Sequence, residues 1–370
     1  MNSSSLATPD RFGNSTPRFN KRMMGLRQSG SLQPGVVMLL VLFFCIYAGY
    51  RSGDFWSALN WQLLAQPLAE AGLVSLGMMF VIASGGIDLS AGAIIGVAAV
   101  TGGIAAHHHL PVPAIEAATL AAGLLCGTFN GILIGVFRLS SILVTLGSMI
   151  LFSGIALAIS DGNSFAGFPD GVLWWNDAAL LGIPLEFLLF LATAAVAAVL
   201  LRYTLWGHYV IAVGSNRVAA RYSGYPVALT VFGVYTFEGL LCGMTSILLV
   251  ARLASARADM GQGLMLMAIA AVVLGGAPIA GGSASVMATL AGVAAFYIVQ
   301  DGLLLLDVPP FVQHALTSVL LLVAVAVGNL LEGNRRRKTD LAAPSEAWRW
   351  PRFCWQQAVR GYREIPKRFS

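Results

Sequence analysis

Two carboxylates in apolar surroundings are the residues best placed to do chemistry. Asp88 lies in the run Gly85-Gly86-Ile87-Asp88-Leu89-Ser90, and Glu238 sits in the middle of a long apolar stretch. An acid within lipid is costly, and such residues serve as gates, proton carriers or contacts for a polar solute, or are held by a partner. For Asp88 the competing role is structural, with Asp88 or Ser90 capping the helix that follows. Glu238 costs at least about 2.5 kcal/mol on insertion scales unless it faces an aqueous path, pairs with a donor or stays protonated. His107, His108 and His109 share no helix face, and no neighbouring carboxylate or cysteine completes a ligand set. They are expected to be a solvated loop and not a metal site. Cys45, Cys126, Cys242 and Cys354 have no metal or disulfide spacing and are read as free thiols. There is no Gly-x-x-x-x-Gly-Lys-Ser/Thr, so the chain is not itself an ATPase. No clustered nucleophile, base or metal set points to an enzyme, and no cofactor site or catalytic residue is expected.

The elements that carry these residues follow from composition. Of 370 residues, 57% are hydrophobic and 11% charged, with mean hydropathy +0.76. Soluble domains carry about 25% charge. The fold class is therefore an all-α polytopic membrane protein. Ten spans are expected, over residues 34–50, 67–84, 91–106, 112–136, 142–160, 180–201, 229–251, 264–280, 285–306 and 311–331. Residues 54–66, with Trp56 and Trp61, read as an interfacial segment. Two spans run into breaks. One is the stretch around Asp88. The other is Gly275-Gly276-Ala277-Pro278-Ile279-Ala280-Gly281-Gly282, which cannot continue as regular helix and reads as broken or re-entrant. Gly123, Gly127, Gly131 and Gly135 recur every fourth residue in the fourth span, and Gly239 and Gly243 are four apart in the seventh. These stripes are expected to admit a close neighbouring helix.

The domain organisation is a disordered tail over 1–33 without a signal-peptide pattern, a transmembrane region over 34–332, and a basic tail over 333–370. With the N-terminus inside, 19 of the 22 lysines and arginines fall on the inner side and 3 on the outer. This satisfies the positive-inside rule and places both termini and the loop over 202–228 in the cytoplasm. In the tail, Trp348, Trp350 and Trp355 among basic residues favour anionic membrane lipid over nucleic acid.

Within the 202–228 loop, Asn216 is a natural helix N-cap for about two turns, stopped by Gly224 and Pro226. That short helix has a small side at Ala219 and Ala220 and a cationic side at Arg217 and Arg221. It suits docking into a groove of a soluble partner; an ordinary amphipathic connector is the alternative.

Four blocks in order carry a resemblance to a known family. They are Gly85 to Ser90 preceded by Val81-Ile82; Asn130-Gly131 with Leu143-Val144-Thr145-Leu146-Gly147; the loop with Ala212-Val213-Gly214-Ser215-Asn216, Ala219-Ala220 and Ser223-Gly224; and Ala268 to Gly276 with Ala280-Gly281-Gly282. Over roughly residues 67–330 the chain resembles the permease subunit of bacterial ATP-binding-cassette (ABC) importers of the ribose/xylose/galactoside type. The resemblance implies an inner-membrane subunit that pairs with a second copy or a paralogue. It implies a cytoplasmic ABC ATPase that binds the ATP and Mg, and a periplasmic sugar-binding protein that delivers substrate. It also implies a coupling helix built from Asn216, Arg217, Ala219, Ala220, Arg221, Ser223 and Gly224. Asp88, Asn130, Glu238, Gly275, Gly276, Gly281 and Gly282 are then candidates for the translocation path or its gate. The chain departs from the family pattern at Ser141-Ile142, Ser283-Ala284-Ser285, Glu238 and Arg217. An ion-coupled secondary transporter, with Asp88 and Glu238 relaying protons, is the alternative function.

Overall fold

The computed structural model describes residues 32–309, 311–313, 315, 316 and 319, with side chains from residue 41 onward. The helices among them are α1 (Leu32–Arg51), α2 (Ala58–Ala83), α3 (Ala91–His107), α4 (Val112–Gly131), α5 (Ser141–Ser160), α6 (Asp170–Asp177), α7 (Leu185–Tyr203), α8 (Leu205–Ser215), α9 (Arg217–Tyr222), α10 (Val227–Leu253), α11 (Leu264–Leu274) and α12 (Val286–Leu305). A π-helical turn, Ile132–Val136, extends α4. Among the described residues, six helices are long and apolar enough to cross a membrane: α2, α4 with its π turn, α5, α7, α10 and α12. The helix α3, the helix α11 and the stretch Val41–Arg51 of α1 are shorter. The chain is thus an all-α polytopic membrane protein. Residues 1–31 and the tail over 333–370 lie outside the described residues, as does most of the span expected over 311–331; residues 32 and 33, expected in the N-terminal tail, open α1.

Packing is organised by α2 and α10. Every residue of α2 from Ala69 to Ala83 is buried, and α10 is buried along most of its length. In lipid, helices associate through close packing more than through apolar burial. The glycine stripes provide that closeness. A methyl on Gly123 would meet Gly243 Cα at 2.8 Å, one on Gly127 would meet Gly239 Cα at 2.7 Å, and one on Gly131 would meet the Phe232 carbonyl at 2.7 Å. The pairing order runs antiparallel, so α4 and α10 touch backbone to backbone over three turns.

Three sequence expectations are corrected. Residues 54–66 are not a separate interfacial segment. Ser57 accepts a hydrogen bond from the Asn60 amide at 3.1 Å and starts α2, which runs through Pro67 without a break. Proline favours a first helical turn, which is why it reads as a start. The 202–228 stretch is not a loop with one short helix; it also contains α8, with Val210 and Val213 fully buried. The span expected over 264–280 stops at Leu274, after 11 residues.

Candidate functional site

Both glycine breaks end their helices in the same way. At the end of α2, Gly85 (φ +76°) donates to the Ile82 carbonyl at 2.9 Å and Gly86 donates to the Val81 carbonyl at 3.0 Å. At the end of α11, Gly276 (φ +89°) donates to Val273 at 2.8 Å and Ala277 donates to Val272 at 3.2 Å. Each is a Schellman motif, in which a left-handed glycine lets two amides satisfy the helix's last carbonyls. The short helix α9 ends identically, with Gly224 (φ +82°) donating to Arg221 and Tyr225 to Ala220, both at 3.0 Å.

The breaks then meet. Gly282 donates its amide to the Ala83 carbonyl at 3.0 Å. A methyl on Gly281 would lie 2.7 Å from Gly85 Cα. Gly214, the penultimate residue of α8, is pressed against the same Ala83 carbonyl, and a methyl there would reach the Gly282 amide nitrogen at 2.7 Å. Three segments far apart in sequence therefore converge at one point: the end of α2, the loop after α11 and the end of α8. Gly275 does separate work, admitting Ala288 and Thr289 of α12.

Beyond this junction the chain turns through Asp88. Asp88 Oδ1 accepts from the Ser90 amide and the Ser90 hydroxyl, each at 2.6 Å. This is an Asx turn that fixes the entry to α3; the Ser90 side chain itself makes no cap. Asn130 of α4 donates through Nδ2 to Ser90 Oγ at 2.7 Å, and Thr145 of α5 donates to the Ile87 carbonyl at 3.3 Å. The break is thus tied to two further helices. Asp88, Ser90, Asn130, Tyr235 and Glu238 are all completely buried. Among the described residues, Asp88 Oδ2, Asn130 Oδ1 and Glu238 Oε2 have no hydrogen-bond partner, and the Tyr235 hydroxyl lies beside Ser141. Buried polar atoms are nearly always paired, which makes these three the candidate contacts for a polar guest. The Glu238 carboxyl lies against Gly77 of α2, where any side chain would collide with it. Cys242 donates through Sγ to Glu238 Oε1 at 4.0 Å.

The helix α9 is capped as its sequence implies, with Asn216 Oδ1 accepting from Val218 at 3.0 Å and Ala219 at 2.9 Å. Of its two alanines, Ala219 is exposed while Ala220 is turned into the body. Its outward face is Val218, 65% exposed, with Tyr222, 89% exposed. Arg217 and Arg221 line a separate flank. The helix α8 carries α9 and is anchored by Trp206, which stacks on Phe80 of α2 at 5.1 Å and meets Phe237 of α10 at 6.0 Å.

Sequence reasoning missed two groups of residues. Gly77 and Tyr235 belong to the buried polar cluster. Glu70 and Arg252 form a two-bond ion pair, at 2.6 and 2.7 Å, joining α2 to α10. Nearby Glu186, at the start of α7, is buried, and neither of its oxygens has a hydrogen-bond partner among the described residues. Each charged residue had a signal, an ionisable group inside or at the end of an apolar span. Nothing local said which would meet which.

Comparison with known proteins places this geometry in a family. Residues 64–325 match the family described as branched-chain amino acid transport system / permease component. The autoinducer 2 import system permease protein LsrD of Photorhabdus luminescens is 35% identical over 260 residues, covering 69% of this chain and 78% of the relative. The protein of the same name from Salmonella typhimurium is 36% identical over 260 residues, with the same 69% and 78% coverage. No solved structure matches the chain.

Proposed function

The chain belongs to the family of branched-chain amino acid transport system / permease components, and from that premise we propose that it is the permease subunit of an ABC importer for a monosaccharide or related polyol. It is a multi-pass protein of the inner membrane. The proposed topology has about ten spans, counting the short α11 together with the glycine break that follows it as one broken span, with both termini cytoplasmic. A cytoplasmic ABC ATPase binds ATP and Mg and supplies the work, a periplasmic binding protein delivers the solute, and a second copy or a paralogue completes the path. The chain itself transports and does not catalyse.

The observation that carries this reading is the junction of Gly214, Ala83 and Gly282. In the proposed mechanism the ATPase grips the outward face of α9 at Val218, Ala219 and Tyr222. Asn216, Ser223 and Gly224 shape the two ends of that helix, and Ala220 seats it. A push on α9 passes through α8 to Gly214. There it bears on the Ala83 carbonyl and the Gly282 amide together, so one displacement reaches both breaks. Asp88 and Asn130 move with the first break, Gly275, Gly276 and Gly281 with the second. Interfaces this closely packed switch between discrete arrangements instead of deforming smoothly. The polar atoms of Asp88 and Asn130 lie at the first break, and those of Glu238 about two turns earlier along α2 beside Gly77; they are suited to hydroxyl groups of a passing solute.

Uptake into cells expressing the chain with its partner subunits tests the substrate. The relatives' names point to autoinducer 2 and the family's description to branched-chain amino acids, so both are offered beside ribose-type sugars. Uptake of a sugar or polyol that stops on ATP depletion is expected. Uptake of a branched-chain amino acid alone overturns the sugar assignment, and uptake abolished by a proton uncoupler with ATP maintained overturns the ATP-driven class.

A further inference from the structure

Three arginines converge on a cavity of about 370 Å³ where the π turn of α4 meets the connection from α9 to α10. Arg138 follows the π turn in the left-handed region, φ +60°. Arg217 and Arg221 are one helical turn apart on α9 and share its flank. The rest of the wall is mostly apolar, with Ile134, Val227 and Val231 among the lining residues. None of the three arginines is in an ion pair with a described residue. Nor does the local chain offer an acid, since residues 117–160 and 187–237 contain no aspartate or glutamate. Three like charges gathered around a cavity repel one another unless an anion sits among them.

The surroundings say what kind of anion. Val136, Phe137 and Leu139 beside Arg138, and Leu229 beside Val227, are large apolar side chains between 48% and 67% exposed. Tyr209 packs on Tyr225 with ring centroids 5.1 Å apart, and aromatic residues of this kind concentrate at the membrane interface. A cationic pocket bordered by exposed apolar and aromatic side chains matches the phosphate of an anionic phospholipid, with its acyl chains lying along the exposed apolar residues.

We propose that Arg138, Arg217 and Arg221 form a binding site for the headgroup of an anionic phospholipid such as phosphatidylglycerol. The site holds α9 by one flank while leaving Val218 and Tyr222 free. It ties the position of α9 to the lipid composition of the leaflet. It rests on the proposed function only in the use made of α9; the pocket and its chemistry stand apart from it.

The test is native mass spectrometry of the purified full chain, titrated with phosphatidylglycerol or phosphatidylcholine, for wild type, the triple variant R138Q/R217Q/R221Q and R202Q. Wild type and R202Q are expected to retain phosphatidylglycerol in preference to phosphatidylcholine, and the triple variant to bind it about a hundredfold more weakly. Equal retention by wild type and triple variant overturns the proposal. So does displacement of the lipid by inorganic phosphate, which would make a free anion the occupant. Loss of the ATPase from the triple variant with lipid retention unchanged also overturns it, by making the arginines partner contacts. Should the triple variant not fold, Arg221→Gln alone, at an exposed position, is expected to weaken retention about fivefold. A chain that never co-purifies with an ATPase yet shows the arginine-dependent retention would remove the proposed function and leave the lipid site standing.

Discussion

Gly282 donates its amide to the carbonyl of Ala83 at 3.0 Å, and Gly214 presses on that same oxygen. A carbonyl in the last turn of a helix has no partner within its own helix. Here a residue of the second break supplies it, and the end of α8 closes over the pair. The end of α2 is therefore packed against both the loop after α11 and the helix that carries α9.

Gly214→Val places a side chain where the Ala83 carbonyl and Gly282 amide already stand. Overpacking of this kind costs about 1–3 kcal/mol. We expect uptake to fall at least about tenfold while the ATPase still co-purifies, since the outward face of α9 is untouched. Uptake assays beside pull-down of the partner measure both, and normal uptake would remove the junction from the coupling route.

The contact between Gly77 and Glu238 gives a double-mutant cycle. Gly77→Ala drives a methyl into the Glu238 carboxyl and is expected to destabilise by about 1–3 kcal/mol. In a Glu238→Ala background that cost should fall below about 1 kcal/mol, because the obstructing group is gone. Unfolding midpoints of the four proteins in detergent give the coupling, and additive effects would contradict the contact.

For Asp88 the two candidate roles separate by substitution. Asp88→Asn keeps an oxygen to accept from Ser90, whereas Asp88→Ala removes it and is expected to cost about 1–2 kcal/mol. The Asn variant should therefore be as stable as wild type yet take up solute at least about tenfold more slowly. A stable Asn variant with full uptake would confine Asp88 to holding the break.

The Glu70–Arg252 pair has one nearly buried partner and one that is 30% exposed. Glu70→Gln removes the carboxylate from an arginine that keeps partial solvent access and Glu186 nearby, and is expected to lower stability by about 1.5–3 kcal/mol, the range for hydrogen bonds to charged groups. Removing both charges with Glu70→Gln/Arg252→Gln should cost less than the sum of the single changes. Thermal unfolding in detergent is the measurement.

Much of this architecture is legible in the chain, for identifiable reasons. The stripe at Gly123, Gly127, Gly131 and Gly135 announces a helix contact because small residues at that spacing leave a groove and nothing else. Asn216 announces a helix start because its side chain has an obvious bond to make. The breaks at Gly85-Gly86 and Gly275-Gly276 announce helix ends because glycine alone adopts the left-handed turn freely. Other features have no local signature. The helix α8 is too short to resemble a span and is flanked by Arg202 and Arg217, so it reads as loop; it packs on the body through Trp206 on Phe80, a contact set by the tertiary fold. The pairings of Gly77 with Glu238, Glu70 with Arg252 and Ala83 with Gly282 join residues more than 150 positions apart. Nothing within a helical turn of either partner encodes them.

The most direct test of the account is what accompanies the chain when it is purified from native membranes in mild detergent. Wild type and Gly214→Val are expected to bring down a cytoplasmic ATPase, and Val218→Asp/Tyr222→Asp, changed only on the exposed face of α9, to lose it. A chain that purifies without an ATPase, or an ATPase that stays with the doubly substituted protein, would contradict the account.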